Sequence, residues 1–429
     1  MAFYIVLGVM YLTALALAVI LTARFRGVHG ARGWFVIALC VGLLIRLALS
    51  SLGHNNDMDA WTIVGDQMVS GLGPYHLSPT GEDTCVKGGP VWPYILYYVR
   101  SLSLRLPSPH PESYHMLVSG VLAVVDSLIA VLLAVMYGYV AAALFLVLPV
   151  SFLITAFHAQ TDNLAVLLGL ISWRLLYPPE GSCRRPFVSA FVLGLSLATK
   201  HILLLFPVWL FFARHSLRDW RERSLFLILP PVVFLFSFLP WIADPVWRAN
   251  ILDVTFGYTS NYGWALLPYI LKLLAPLHAW ESLFSWVPVF RGLLFVWLIF
   301  MLSLGLGLSR WDDKRFILYY ISGMVALAPA MADQYLAIPA TACAVFRKNP
   351  FSWLYIAVAS ITIIGGDYNI GTLPSLSGVR EGIQAITALN RWHTSQLCLV
   401  GLLVWEIWVH KREGKGSVVK PEVGGMANA

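Results

Sequence analysis

The sequence predicts an all-α, polytopic membrane protein, and three features support this fold class. Of its 429 residues 59% are hydrophobic and only 12% are charged, whereas about 25% are charged in an ordinary soluble domain. The apolar residues form continuous runs and do not alternate with polar ones, which favours helices over a transmembrane β-barrel. Several runs also approach the length of about 20 residues that a helix needs to cross a bilayer.

Taken in order, the apolar runs predict about thirteen spans within one transmembrane domain, residues 1–410. The predicted spans are residues 2–22, 34–52, 115–137, 139–157, 163–177, 187–199, 202–213, 225–243, 290–309, 316–331, 336–346, 351–365 and 395–409. The region 264–288 carries three prolines and only short apolar runs, so we predict a re-entrant or interfacial segment there. The polar residues 411–429 are predicted to form a disordered tail.

The charges of the loops predict how the spans are oriented. The loop after the first span carries Arg24, Arg26 and Arg32 and no acidic residue, whereas the long loop 53–113 carries more acidic than basic residues. Basic loops collect on the cytoplasmic side of a membrane. We therefore expect loop 53–113 on the non-cytoplasmic side, and the tail in the cytoplasm. Both a bacterial plasma membrane and an endoplasmic reticulum membrane fit this orientation.

Composition and spacing also exclude some function classes. The formal net charge is +7, but the basic residues are scattered over short loops, so no nucleic-acid partner is expected. The five cysteines are odd in number and lack metal-ligand spacing, so neither a disulfide framework nor a structural zinc site is expected. The first apolar run has span length and no basic segment before it, so we interpret it as a span and not as a cleavable signal peptide.

Polar clusters end several predicted spans at the same membrane level. They are His54/Asp57/Asp59, His158/Gln160/Asp162, Lys200/His201, Tyr258/Asn261/Tyr262 and Asp333/Gln334/Tyr335. Ionisable groups near lipid are costly and usually line a cavity, so these clusters predict one shared polar site. The alternative for each cluster is ordinary capping of helices at the membrane surface.

The order of these clusters resembles that of the GT-C glycosyltransferases, polytopic enzymes that take a sugar from a polyprenyl-phosphate carrier. The segments that carry the resemblance are residues 56–61, 70–75, 89–94, 157–162, 197–201 with Pro207, 256–264, and 334–336 with Pro339. The chain departs from the family pattern in three ways. It has an extra leading span, Gly89-Pro90 replaces a double proline, and Trp264 follows Gly263 where the family has the reverse order.

The resemblance implies that Asp57, by its distance from Tyr75, is the base that accepts the proton of the acceptor hydroxyl. Asp59 leaves several alternatives open: it is the base instead, it holds Mg²⁺ or Mn²⁺ together with Asp57, or it only caps the following helix. Two carboxylates two residues apart do not share one helix face. An extended loop is therefore expected if both act together.

Lys200 and His201 are the predicted ligands of the donor phosphate, because a Lys ammonium suits phosphate and the family carries a similar Lys. A Lys that merely extends to the headgroup region is the alternative. By resemblance, further residues are expected to bind the sugar, donor or acceptor. They are His158, Gln160, Asp162, Tyr75, Tyr258, Gln334 and Tyr335.

These expectations combine into one predicted function. An inverting glycosyltransferase would move a hexose, with mannose favoured, or a pentose from a polyprenyl- or dolichyl-phosphate carrier to a hydroxyl of a lipid-linked or glycan acceptor. Membrane lipids would surround it. The competing prediction is a transporter or flippase for a lipid or small solute, although transporters place their polar groups near the midplane and often show internal repeats.

Overall fold

A computed structural model describes residues 2–23, 29–77, 86, 88–106, 111–178, 182–213, 219–243, 245–252, 287–309, 314–328, 331–366 and 391–416. Within these ranges the regular structure is helical and contains no β-strand. Tyr258, and the predicted re-entrant region as far as residue 286, lie outside the described residues.

The described α-helices follow the predicted apolar runs closely. In chain order they are α1 Ala2–Ala23, α2 His29–Leu52, α3 Asn56–Val69, α4 Val91–Arg105, α5 Pro111–Tyr137, α6 Tyr139–Val147, α7 Pro149–Phe152, α8 Asp162–Leu176, α9 Pro186–Thr199, α10 Phe206–Phe212, α11 Trp220–Ser237, α12 Leu239–Ile242, α13 Pro245–Leu252, α14 Val287–Leu308, α15 Phe316–Ala326, α16 Ala340–Val345, α17 Pro350–Gly366 and α18 Arg391–Gly416. A π-helix, Leu153–Phe157, follows α7, and 3₁₀-helices span His201–Leu203 and Asp333–Ala337.

Among the described residues, three helices are long and apolar enough to cross a membrane, namely the stretches Phe3–Leu21, Arg32–Leu52 and Glu112–Tyr137 of α1, α2 and α5. The outer faces of α1 and α2 carry large apolar side chains, such as Leu12 and Leu44, which are exposed. Contiguous exposed apolar surface of this kind needs lipid or a partner to cover it. The prediction of an all-helical chain is therefore confirmed for the described residues, and its long apolar helices are consistent with a helical membrane protein.

Two further candidate spans are broken. The pair Tyr139–Val147 and Pro149–Phe157 bends by 56°, and the pair Pro186–Thr199 and His201–Phe212 bends by 120°. At about 1.5 Å per residue, neither arm of the second pair reaches the roughly 30 Å of a bilayer core by itself. The second break carries Lys200 and His201, so it places polar groups where an uninterrupted helix would offer only apolar surface.

The predicted active-site loop is largely helical. Its helices α3 and α4 pack together, and Arg100 donates from Nε to Asp66 Oδ1 at 2.7 Å and from Nη2 to Oδ2 at 3.1 Å. Tyr114 of α5 donates to the carbonyl of Trp61 in α3 at 3.2 Å. The loop is thus fixed to the transmembrane helices by specific contacts.

A buried charge network connects α2, α5 and α8. Arg46 and Asp126 are 1% and 0% exposed, and the guanidinium lies 2.8 Å from Asp126 Oδ2. The same carboxylate accepts from Thr155 Oγ1 at 2.8 Å and from Asn163 Nδ2 at 2.6 Å. Arg46 also donates to the carbonyl of Leu146 at 2.9 Å. Since both charges are paired and hydrogen-bonded, their burial is tolerated.

Removing one partner of this pair should destabilise the chain strongly. We expect Asp126→Leu to lower the free energy of unfolding by about 3–5 kcal/mol, because Arg46 would remain buried without a counter-charge. The double variant Arg46→Met with Asp126→Leu should recover much of that loss. Thermal unfolding in detergent measures both. As a control, Asp66→Ala removes a half-exposed partner of Arg100 and should cost less than about 1 kcal/mol; equal losses for Asp126→Leu and Asp66→Ala would contradict the expectation.

The last helix is longer than predicted. Helix α18 continues to Gly416, past the boundary expected at residue 410, so residues 411–416 are not part of a disordered tail. Arg412 lies 3.7 Å from the centroid of the Trp408 ring, one helical turn earlier. Basic residues are favourable near a helix carboxyl terminus, which together with this contact accounts for the extension. Residues 417–429 lie outside the described residues.

Candidate functional site

A polar cavity of about 70 Å³ lies where the loop helices meet the two broken spans. Its lining residues come from α3, the first turn of α4 and the segment before it, the loop before α8, the end of α9 with Lys200, and the second 3₁₀-helix. They are Asp57, Ala60, Trp61, Val86, Gly88, Gly89, Trp92, Pro93, Gln160, Thr161, Thr199, Lys200 and Gln334. A cavity of this size has room for several water molecules, or for the polar groups on one edge of a larger ligand that enters through its open side. It therefore gathers residues from four of the five polar clusters predicted to meet.

Asp57 is held at the first turn of α3 by Asn55. The Asn55 side chain accepts from the backbone N–H of Asp57 at 2.7 Å, which caps the helix, and its Nδ2 donates to Asp57 Oδ2 at 3.2 Å. Asn55 Nδ2 also donates to His158 Nδ1 at 2.8 Å, and His158 Nδ1 lies 3.9 Å from Asp57 Oδ2. The Asp57 side chain is 41% exposed, so its carboxylate is fixed in direction and accessible to a substrate.

Asp59 is oriented differently from Asp57. Both lie in the first turn of α3, where residues two apart point about 200° away from each other. Asp59 is exposed and does not line the cavity. The cap of α3 is Asn55, so the predicted capping role of Asp59 is wrong. The backbone from Asp57 to Asp59 is helical, so it is not the extended loop that joint action of the two carboxylates would require. Asn55 accounts for both corrections, because it starts the helix two residues before Asp57.

The carboxylates do not form a metal site either. Among the described residues, no three His, Cys, Asp or Glu side chains come close enough to hold one ion. Asp57 and Asp59 diverge, and Asp57 Oδ2 lies 3.2 Å from the amide nitrogen of Asn55 and 3.9 Å from His158 Nδ1. The hypothesis that Asp57 and Asp59 share Mg²⁺ or Mn²⁺ therefore does not fit this arrangement.

Irregular backbone presents the His158–Asp162 loop to the cavity. The π-helix Leu153–Phe157 precedes it, and π-helical turns are frequent at functional sites. Ala159 has φ +52°, a left-handed conformation that is uncommon for residues other than glycine. Trp61 of α3 donates from Nε1 to the carbonyl of Ala159 at 3.0 Å, which holds the loop in this conformation beside Asp57.

Lys200 lies at the break between α9 and α10. Its backbone is extended, with φ −155° and ψ 135°, so α9 ends there and the side chain turns into the cavity wall. Lys200 Nζ donates to Asp162 Oδ2 at 2.8 Å, and the side chains are 9% and 0% exposed. Nζ also lies 5.3 Å from the centroid of the Tyr335 ring. The burial and the pairing argue against a Lys that merely extends to the headgroup region.

The other predicted site residues divide into three groups. Gln160 and Gln334 line the cavity. His158, Asp162 and Tyr335 lie behind its wall, in contact with Asn55 or Lys200. His201 and Tyr75 do not line the cavity, so the structure does not bring these two into the site.

Tyr75 supports the wall of the cavity from behind. It is fully buried, and its hydroxyl donates to the carbonyl of Gly88 at 3.1 Å. Burial raises the pKa of this hydroxyl well above its ordinary value, so the hydroxyl remains a hydrogen-bond donor at neutral pH. Asn250 donates to the Tyr75 carbonyl at 2.6 Å. Tyr75 therefore positions the glycine segment and has no direct access to a ligand in this cavity.

The glycine segment, Gly88 and Gly89, packs so closely against α9 that it leaves no room for side chains. A Cβ at Gly89 would overlap the carbonyl of Ala198, and one at Gly88 would lie 3.1 Å from the carbonyl of Thr199. This close backbone contact joins the start of α4 to the end of α9, next to Lys200.

We expect Gly89→Ala to destabilise the chain by about 1–3 kcal/mol, the usual range for overpacking, and to displace Trp92 relative to Lys200. Thermal unfolding measures the stability loss. Gly307→Ala is the matched control, because a Cβ there would meet no atom within 4 Å and alanine favours a helix interior by up to about 1 kcal/mol. If the two variants unfold at the same temperature, the close contact at Gly89 is unimportant.

Sequence reasoning assigned no role to several residues that shape this site. In the sequence, Asn55 and Thr161 stand out only because each lies close to an acidic residue. Arg46 and Asp126 are 80 positions apart in the chain. The signal for Asn55 was its position two residues before Asp57, where an Asn cap is common. The Arg46–Asp126 pair offered only the general signal of charges inside apolar runs.

Scans of the sequence against protein-family models and against curated proteins find no match. The function is therefore inferred from the residues of this cavity and from the motif order of the sequence.

Proposed function

We propose that the chain is a GT-C-like glycosyltransferase of about thirteen spans, acting on the non-cytoplasmic side of its membrane. It would move a sugar, with mannose favoured, from a polyprenyl-phosphate carrier to the hydroxyl of a lipid-linked or glycan acceptor. The observation that carries this proposal is the shared cavity of Asp57, Lys200, Gln160 and Gln334. A carboxylate, a cation and two amides in one partly enclosed site are the groups that this transfer needs.

Asp57 takes the role of general base. The acceptor hydroxyl gives its proton to the Asp57 carboxylate as its oxygen attacks the anomeric carbon of the donor sugar. Asn55 orients the carboxylate by donating to Oδ2, which leaves Oδ1 for the acceptor proton. A positioned carboxylate of this kind contributes roughly 10²–10⁴-fold to a rate.

The leaving group is the phosphate of the lipid carrier. As the new glycosidic bond forms, the bond between the anomeric carbon and the phosphate oxygen breaks, and the bonding pair leaves with the phosphate. Lys200 is the cationic side chain among the described lining residues, so it is the group that would stabilise this developing charge. Asp162 accepts one of its three N–H groups, and the other two remain for the phosphate. A single displacement inverts the anomeric configuration.

A transporter remains the second candidate, and one observation favours it. The pair Pro186–Thr199 and His201–Phe212 is bent by 120°, and broken helices bind substrates in many transporters. In this chain, however, the break carries a Lys paired to Asp162 beside the carboxylate of Asp57. Such a combination suits acid–base chemistry better than passage of a solute.

One pair of measurements separates the two candidates. The purified chain in liposomes is given radiolabelled polyprenyl-phosphate sugars and a mixture of lipid-linked acceptors, and labelled product is followed. A parallel assay follows uptake of free radiolabelled sugar into the vesicles. Labelled glycolipid without uptake supports the transferase, whereas uptake without labelled product would replace it with the transporter.

A further inference from the structure

Two buried hydrogen-bonding groups in the cavity wall have no partner among the described residues. They are the Nε1–H of Trp92 and the hydroxyl of Thr161. Trp92 is 2% exposed and Thr161 is 4% exposed, and both line the cavity. An unsatisfied buried donor costs roughly 1–3 kcal/mol, so each of them calls for a ligand or an ordered water in the native protein.

The described residues around Trp92 and Thr161 do not supply the missing hydrogen bonds. Trp61 lies edge-to-face against Trp92, with ring centroids 6.2 Å apart, but its own Nε1–H donates to the carbonyl of Ala159. Thr161 stands at the N-cap position of α8, where its hydroxyl would ordinarily accept from the helix backbone. It makes no such bond, and its hydroxyl is left for the cavity.

The charges of the site favour a neutral ligand next to these groups. Asp57 and Lys200 are the charged residues among the described lining side chains, and Lys200 is already paired with Asp162. In the proposed function Asp57 and Lys200 act on the reacting atoms, so the part of the wall that contains Trp92 and Thr161 is uncharged. Neutral amides, a hydroxyl and an indole N–H form the rest of the polar wall, which is the set that recognises the hydroxyl groups of an uncharged sugar ring.

We infer that Trp92 and Thr161 bind hydroxyl groups of an uncharged monosaccharide ring and help to decide which sugar the chain accepts. Thr161 both donates and accepts a hydrogen bond, whereas Trp92 only donates. A site that hydrogen-bonds a hydroxyl rejects analogues that lack it, because its own polar group is then left unpaired. This inference deepens the proposed function and rests on it for the role of the sugar in transfer.

Binding of free sugars to the purified chain tests the inference. Saturation-transfer NMR in detergent is recorded with mannose, glucose, galactose and arabinose, and with inorganic phosphate by ³¹P line broadening. We expect at least one monosaccharide to bind. Trp92→Phe, which keeps an aromatic ring but removes the N–H, and Thr161→Val, which keeps the side-chain shape, should each weaken its binding by about three- to tenfold.

Matched controls exist in the same chain. Trp209 Nε1 and Thr341 Oγ1 are also buried without a partner among the described residues, but neither residue lines the cavity. Trp209→Phe and Thr341→Val should leave sugar binding unchanged. Equal weakening by the control variants would show a general loss of structure and overturn the inference, as would binding of phosphate alone.

The affinities of deoxy sugars give a second test, because they distinguish direct recognition by Trp92 and Thr161 from a purely structural role of these residues. For each variant there should be one deoxy analogue that binds the wild type and the variant equally, because the hydroxyl that the residue recognises is already missing. If the variants weaken every deoxy analogue alike, or none, direct recognition is excluded.

The transfer assay separates failure of this inference from failure of the proposed function. Sugar transfer that is unchanged in Trp92→Phe and Thr161→Val would overturn the inference alone and leave the transferase intact. Sugar binding that depends on both residues, without any transfer, would instead support a sugar-binding cavity and remove the proposed reaction. Absence of both binding and transfer in the wild type would overturn both.

Discussion

Asp57→Asn should lower the rate of sugar transfer by about 10²–10⁴-fold while the chain remains folded. The amide cannot accept the acceptor proton in the way a carboxylate does. The cap of α3 survives, because it depends on the backbone N–H of Asp57 and on the Asn55 side chain. The measurement is initial-rate transfer with a radiolabelled polyprenyl-phosphate sugar, together with the unfolding temperature of each variant.

Asp59→Asn is the control for this prediction. Asp59 is exposed and turned away from the cavity, so only its favourable charge at the start of α3 is lost, worth about 0.3–1 kcal/mol. Transfer by Asp59→Asn should stay within roughly threefold of the wild type. A much larger loss in Asp59→Asn than in Asp57→Asn would reverse the assignment of the base.

The choice between these two carboxylates shows what the sequence could and could not decide. Apolar runs predicted the helices well: the second span was expected to end at Leu52, where α2 ends. Helix position follows from local hydrophobicity, so it can be inferred from a single chain. The direction of the Asp57 carboxylate depends on the hydrogen bond that Asn55 Nδ2 donates to its Oδ2, and a composition pattern contains no information about that bond.

Long-range contacts were the other limit. The Lys200–Asp162 pair joins residues whose polar clusters were expected to meet, and the break at Lys200 was visible as a cation inside an apolar run. The Arg46–Asp126 network and the contact of Gly89 with Ala198 were not predicted. Both contacts depend on how the helices pack in three dimensions. A single sequence does not indicate which residues far apart in the chain come into contact.

The largest expected effect on stability within the site belongs to Lys200→Met. Asp162 is 0% exposed, and its Oδ1 has no hydrogen-bond partner among the described residues. Without Lys200 its carboxylate would remain buried with no cation beside it, and breaking such a pair costs about 3–5 kcal/mol. We expect a clear fall in the unfolding temperature in detergent, accompanied by loss of sugar transfer.

A second substitution distinguishes a structural Lys200 from a functional one. Lys200→Met combined with Asp162→Asn removes both charges, so the double variant should unfold at a higher temperature than Lys200→Met alone. If Lys200 stabilises the leaving phosphate, the double variant recovers stability but not transfer. If Lys200 serves only to neutralise Asp162, transfer should return together with stability. A Lys200→Met variant as stable as the wild type would mean that water reaches the Lys200–Asp162 pair. The cavity would then lack the buried cation on which the proposed phosphate role depends.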